Sequence, residues 1–193
     1  MNKGVLVVIA APSGTGKTTI CNKLLKSNPG WKFSISATTR PMRTDEVDGV
    51  NYVYMDVDKF EHYIKFGDFL EWETVHGYKY GTLIAQLEDA MDNGDVLILD
   101  IDVKGSQSIV EEFPDETISF FIEPPGDTIG EQIEILEDRL TKRGKDSSTI
   151  IRRRLKRLAI EIEFKDKFDH VVLNEDVDTA TMEIENIIKE KIK

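Results

Sequence analysis

Cysteine is almost absent from this chain: Cys21 stands alone, so neither an internal disulfide nor a thiolate zinc cage can form, which fits a reducing compartment. Long apolar runs are absent too. The longest, residues 5–11, is cut off at once by Pro12, Ser13 and Gly14, and it falls far short of the roughly 20 residues a bilayer requires. Met1, Asn2, Lys3 and Gly4 lead straight into that run with no small-residue cleavage site of a secretory leader, so a first strand and a cytoplasmic location are expected, with no membrane partner. Histidine is scarce: His62, His76 and His170 lie far apart without metal-ligand spacing, and no chemistry is assigned to them. Positive charge is in deficit, with 25 Lys and Arg against 36 Asp and Glu and a net charge of −11. A global negative field repels polyanions, which argues against a nucleic acid polymer as partner and requires that any phosphate ligand be held by a local basic cluster.

What is present suits one compact domain with small inserted units: 193 residues, 40% hydrophobic and 32% charged. Residues 5–10 form a continuous aliphatic run, the pattern of a strand buried on both faces of a parallel sheet, and residues 18–26 read as a helix. Residues 33–82 differ. Short alternating pieces (Phe33-Ser34-Ile35-Ser36, Asn51-Tyr52-Val53-Tyr54, Phe69-Leu70-Glu71-Trp72) are separated by the turn signals Asp48-Gly49, Gly67-Asp68 and His76-Gly77, which predicts a small, largely antiparallel insertion. Inside it, residues 58–66 have helical spacing, with Phe60, Tyr63 and Ile64 on one face. Helix (83–91), strand (96–99), helix (103–112) and strand (118–122) then alternate, which predicts a parallel sheet with helices on both faces. Pro124-Pro125 opens a charged region, residues 126–157, where Ile129, Ile133, Leu136 and Leu140 recur at helical spacing, as a mobile helical lid would have them. A last strand (171–173) and an amphipathic helix (179–192) close the pattern.

The sharpest motif is Ala11-Pro12-Ser13-Gly14-Thr15-Gly16-Lys17-Thr18, which follows a buried strand and opens a helix. That is the context in which a glycine-rich loop curls its N–H groups around phosphate oxygens at a helix N-terminus. Lys17 is placed to neutralise the β- and γ-phosphates and Thr18 to offer its hydroxyl to Mg²⁺. Ala11 replaces the first glycine of the strict motif, a mild departure. Nucleoside triphosphate binding follows, while the nature of the phosphoryl acceptor does not. Asp100, ending the strand at 96–99, stands where such enzymes hold the Mg²⁺ shell. Arg40 and Arg43, joined across Pro41, could turn two planar guanidinium forks onto one monophosphate, although such arginines are most often solvated surface charges. Tyr52 and Tyr80 could add phenolic donors.

With these segments in view the chain resembles the guanylate kinases over nearly its whole length. The resemblance is carried by residues 11–18, 36–43 and 49–54, Phe69-Leu70-Glu71-Trp72, Gly77-Tyr78-Lys79-Tyr80-Gly81-Thr82, Leu99-Asp100-Ile101-Asp102, Arg143-Gly144, and Val172-Leu173-Asn174-Glu175-Asp176. It implies an α/β core built on a P-loop NTPase parallel sheet (1–33, 84–125 and 158–193), an inserted mixed or antiparallel GMP-binding subdomain (34–83) and a helical lid (126–157). It implies Mg²⁺-dependent transfer from ATP to GMP in purine nucleotide metabolism, with dGMP tolerance and the choice between monomer and homodimer left open. ATP is expected at Ala11, Pro12, Ser13, Gly14, Thr15, Gly16, Lys17, Thr18 and Thr19, with Asn174 near the adenine, and Mg²⁺ at Thr18 and Asp100. The GMP phosphate is expected against Arg40, Arg43, Tyr52 and Tyr80, and the guanine against Ser36, Glu71, Thr82 and Asp102. Lys17, Arg40, Arg139, Arg143 and Arg154 are expected to act on the transferring phosphoryl; in the run Arg152-Arg153-Arg154-Leu155-Lys156-Arg157, Arg154 alone matches the family. The segment 126–138 is longer than the family's usual, which bears on lid geometry and on Arg139.

Guanine chemistry supports the assignment of Glu71, because adjacent N1–H and N2–H donors meet a carboxylate in parallel whereas adenine presents an acceptor at N1. A bidentate base contact discriminates by roughly 1–3 kcal/mol, so Ser36, Thr82 and Asp102 must contribute as well. Two other readings compete. A related kinase acting on another nucleoside monophosphate or on a ribose phosphate is disfavoured by Glu71 with Ser36 and Asp102. A non-enzymatic scaffold of the same fold is disfavoured by the presence of Lys17, Thr18 and Arg143.

Overall fold

The computed structural model describes residues 3–75, 77–144 and 147–192. Position 76 of the expected His76-Gly77 turn and positions 145 and 146 of the expected lid lie outside the described residues. The core is a five-stranded, wholly parallel sheet of β1 (Val5–Ala10), β2 (Lys32–Phe33), β7 (Val96–Asp100), β8 (Thr117–Glu123) and β9 (His170–Leu173), in the order β2-β7-β1-β8-β9. Every residue of β1 is buried, and its side chains divide by parity. Val5, Val7 and Ile9 pack with α1 (Lys17–Ser27) and α7 (Val177–Lys191) through Ile20, Cys21, Leu24, Ala180, Ile184 and Ile188. Leu6 and Val8 pack on the other face with Leu87, Ala90 and Ile109 of α3 (Ile84–Asn93) and α4 (Val103–Glu112). The period of two in a strand thus supplies both cores from a single run. Cys21 is the small core residue its position suggests, and burial, first among the causes, pushes its thiol up to about 12.

Between β2 and α3 the chain forms a second, mixed sheet of β3 (Ala37–Thr38), β4 (Val53–Tyr54), β5 (Phe69–Val75) and β6 (Tyr78–Leu83), ordered β4-β3-β6-β5. The pairings of β6 are antiparallel and that of β3 with β4 is parallel. This unit has its own apolar centre: Phe60 of α2 (Val57–Phe66) stacks on Phe69 at 4.3 Å, with Ala37, Met55, Tyr63 and Ile64 around it. Phe33 opens the alternating stretch 33–82 yet lies in the core, within the expected core bound of 1–33, because β2 pairs with β7 and Ser34 N–H donates to Ile98 O in the core sheet. Leu83, expected in a helix, ends β6 and precedes α3.

A hairpin of α5 (Ile129–Arg143) and α6 (Ser148–Ile162) forms the third unit, closed on Leu136, Leu140, Ile151, Leu155 and Leu158. Ile129 does not share that core. As the first residue after the Thr128 cap it lies at the open end of α5 and is 47% exposed. Helix α6 runs unbroken through positions 157 and 158, so Leu158 packs with the hairpin. The three units meet at the carboxyl end of the core sheet, beside β1, where the strand order reverses and open α/β sheets form their ligand crevices.

Because the insertion's core is separate from the sheet's, Phe60→Ala is expected to lower its stability by about 3–5 kcal/mol. Amide exchange should accelerate in β3, β5 and β6 while β1 stays protected; equal acceleration in both sheets would contradict this division.

Candidate active site

The loop between β1 and α1 is shaped by Gly14 and Gly16, whose φ angles of 95° and 102° lie in the left-handed region. Space forbids a side chain as well: a Cβ on Gly16 would sit 2.8 Å from Asn174 Nδ2, and one on Gly14 would sit 3.0 Å from Leu140 Cγ. Thr15 is fully buried and its hydroxyl donates to Pro12 O at 2.7 Å, so this side chain holds the loop together and faces away from the cleft. Asn174 is likewise buried behind the loop; its side-chain amide nitrogen donates to Thr15 O at 2.5 Å and its backbone carbonyl accepts from Arg139 at 3.3 Å. The Asn174 side chain therefore braces the phosphate loop from behind.

Lys17 lies in front of the loop with its ammonium 2.8 Å from Asp100 Oδ1 and 2.6 Å from Ile101 O. The other Asp100 oxygen accepts from the Thr18 hydroxyl at 3.1 Å. A hydroxyl and a carboxylate at this spacing form a hard-oxygen pair of the kind Mg²⁺ takes when phosphates complete its shell. Among the described residues no group of three or more His, Cys, Asp or Glu side chains is placed to hold a metal ion.

A cavity of about 460 Å³ opens over the loop, lined by Ala11, Pro12, Ser13, Gly14, Gly16, Lys17, Thr18 and Thr19. From the hairpin, Arg139, Arg143 and Arg154 line its opposite wall, and Arg154 donates to Ser13 Oγ at 3.1 Å. Beside it lies a second cavity of about 330 Å³, lined by Ser36, Tyr52, Glu71, Tyr80, Asp100 and Asp102. Lys17, Glu73 and Asp102 line both, so the two cavities share a wall.

Glu71 occupies the floor of the second cavity. Its Oε1 accepts from the Thr82 hydroxyl at 2.6 Å, and Thr82, itself 1% exposed, reaches the cavity only through Glu71. Burial, aided by the negative charges of Asp102 and Glu73, raises the pKa of Glu71, while Thr82 opposes the shift. Asp102 also caps α4, since its Oδ1 accepts from Lys104 N–H and Gly105 N–H. Gly105 allows the carboxylate of Glu71 to approach this helix start, since a Cβ there would lie 3.3 Å from Glu71 Cδ.

Arg40 and Arg43 are drawn together by Glu46, a residue that no motif in the sequence singles out. Glu46 takes Arg40 Nη2 at 2.6 Å on one oxygen and the Arg43 backbone N–H at 2.8 Å on the other. The bond from Arg40, more than any other influence, holds the Glu46 carboxyl down at about 2. The Arg40 guanidinium also lies over the rings of Tyr52 and Tyr54, at 5.3 and 5.8 Å. Neither arginine lines the second cavity; Arg40 is turned onto Glu46 and Arg43 is exposed. Three further polar residues of the cleft, Glu73, Arg157 and Glu161, are likewise absent from the expected site. Arg157 was legible as part of a basic run, but nothing in the run told which arginine faces the cleft.

The guanylate kinase family model matches residues 3–191. A guanylate kinase of Carboxydothermus hydrogenoformans is 43% identical over all of this chain and 92% of its own length. One from Chlorobium luteolum is 42% identical over 92% of this chain and 87% of its own. Among solved structures, a guanylate kinase from Anaplasma phagocytophilum superposes with a TM-score of 0.76 at 31% identity, covering 99% of this chain and 87% of that one.

A carboxylate whose pKa is raised by folding opposes folding when ionised. That opposition is complete above the folded-state value and vanishes below the ordinary value of 4.5. Glu71→Gln, which keeps an acceptor for Thr82, is therefore expected to raise the ligand-free melting temperature by a few degrees at pH 7–8, with the gain fading as pH falls toward the ordinary carboxylate range. A melting temperature lowered at pH 7 would refute this electrostatic account of Glu71.

Proposed function

The chain belongs to the guanylate kinase family and is an ATP:GMP phosphotransferase, and we propose that the two adjoining cavities divide the nucleotides between them. ATP lies with its phosphates on the loop of residues 11–19, and GMP occupies the cavity floored by Glu71. The observation that carries this reading is the shared wall of Lys17, Glu73 and Asp102, with the cations of the loop and of the helical hairpin on one side and the buried carboxylate on the other. The insertion acts as the GMP-binding subdomain and the α5–α6 hairpin as the lid.

In this reading guanine N1–H and N2–H donate to Glu71, whose Oε1 retains a lone pair beside the Thr82 bond. Ser36 and the free oxygen of Asp102 complete the base contacts. The GMP phosphate draws Arg40 away from Glu46 and joins Arg43, Tyr52 and Tyr80, a charge-assisted exchange that leaves the arginine oriented throughout. Lys17 leaves Ile101 O for the β- and γ-phosphates. A GMP phosphate oxygen then attacks the γ-phosphorus in line as the bond to the ADP oxygen breaks, with Arg139, Arg143 and Arg154 against the charge that spreads over the transferring group. Thr18 and Asp100 are the residues that would hold Mg²⁺, which would supply positive charge against the phosphate oxygens. No helix among the described residues is long and apolar enough to cross a membrane, and we assign the enzyme to the cytoplasm on its single cysteine and acidic, soluble-type composition.

Lys17→Ala is expected to reduce transfer by about 10²-fold to 10³-fold or more. It should leave a single cooperative unfolding transition, because the ammonium contacts oxygen and no apolar core. Turnover at the wild-type rate in this variant would overturn the role given to the loop.

A further inference from the structure

Among the described residues that line the loop cavity, Arg157 is the arginine for which the expected chemistry has no use. It projects from α6 three residues beyond Arg154, lines the loop cavity, and remains 56% exposed at its side chain. Its guanidinium has two carboxylate partners: Asp102 Oδ2 at 3.8 Å and Glu161 Oε1 at 3.7 Å. Glu161 lies one turn further along α6, and its Oε2 is buried without a hydrogen-bond partner. Asp102 belongs to the opposite side of the cleft, where Oδ1 is fixed by two backbone N–H groups of α4. The direction of its Oδ2 is thereby fixed as well. The contact joins a flexible cation on the hairpin to a rigid carboxylate of the acceptor cavity.

We propose that Arg157 is a positioning residue that couples closure of the α5–α6 hairpin to recognition of the guanine by Asp102. The inference rests on the assignment of Asp102 to guanine. With the hairpin down, Arg157 stands beside Oδ2 and offsets one of the negative charges that Glu71, Glu73 and Asp102 crowd around the base. With the hairpin raised, the guanidinium leaves with α6 and those carboxylates face one another unshielded. Acceptor binding and hairpin closure then favour each other, and any ligand that draws the hairpin down onto the phosphate loop tightens the hold on GMP. The pair is well suited to such a role because an exposed ion pair contributes little to the fold itself. Arg152, five residues earlier on the same helix and exposed, touches neither nucleotide cavity and serves as the control for a lost positive charge.

The test is steady-state kinetics of the full chain in four variants: R157A, D102N, the double variant and R152A. Asparagine caps a helix as well as aspartate does, so D102N leaves α4 capped. R157A is expected to raise KM for GMP by about fivefold at saturating ATP, the lower edge of ordinary coupling between sites, while an ATP titration in the absence of GMP gives an unchanged dissociation constant and the melting temperature stays the same. R152A should alter neither KM. In the D102N background the effect of R157A should disappear, because the cation has lost the charge it answers. Equal effects of R157A in both backgrounds, or a matching loss of ATP affinity in the absence of GMP, would overturn the coupling. If D102N raises KM for GMP while R157A does not, the coupling alone fails. If D102N leaves KM for GMP unchanged, the guanine assignment of Asp102 fails and takes the proposal with it.

Discussion

Everything in this cleft answers to one electrostatic difficulty: a protein of net charge −11 must bring two nucleotide phosphate chains into contact. The solution visible in the structure is to keep the cations of the cleft on internal oxygens. Lys17 rests on Asp100 and Ile101 O, Arg40 on Glu46, Arg139 on the carbonyl of Asn174, Arg154 on Ser13 and Arg157 on Asp102. Held in this way, the cations are oriented before a ligand arrives, and a phosphate that enters exchanges one oxygen partner for another. Catalysis by positioning and charge neutralisation needs this kind of prearranged geometry.

The fold supplies the partners from three separately cored units. The parallel sheet holds the phosphate loop and Asp100 side by side because β1 and β7 are neighbours in register, with Ile9 opposite Asp100. The insertion brings Glu71, Tyr80 and Thr82 from two strands of one antiparallel pair. The hairpin contributes Arg139 and Arg143 from α5 and Arg154 and Arg157 from α6. Independent cores allow such units to shift as bodies while their own packing is preserved.

Much of this was legible in the sequence. A fully aliphatic strand running into Gly14, Gly16, Lys17 and Thr18 identifies the loop, because sterics and phosphate chemistry each restrict those positions. Alternating helix and strand after residue 83 likewise gives the parallel sheet. Less legible was everything that depends on which way a side chain turns. Thr15 within the loop and Asn174 from a distant segment both brace it with their side chains, and Glu46 looks like any exposed loop carboxylate until Arg40 is seen to fold back upon it. Nor could Arg157 be separated from Arg152 and Arg153, since helical phase relative to a distant carboxylate is a tertiary fact. At Phe33 the alternating pattern and the expected core bound of 1–33 disagree, because a two-residue edge strand leaves too little periodicity to reveal its partner.

The central claim is that the second cavity accepts one base and that phosphoryl transfer waits for it. Its most direct test is ADP formation by the purified protein with ATP and Mg²⁺ in the presence of GMP, AMP, CMP, UMP or no acceptor. Release of ADP driven by GMP, or by its deoxy form, and by none of the others is the result this account predicts. Comparable release with AMP or a pyrimidine nucleotide, or release without any acceptor, would contradict it.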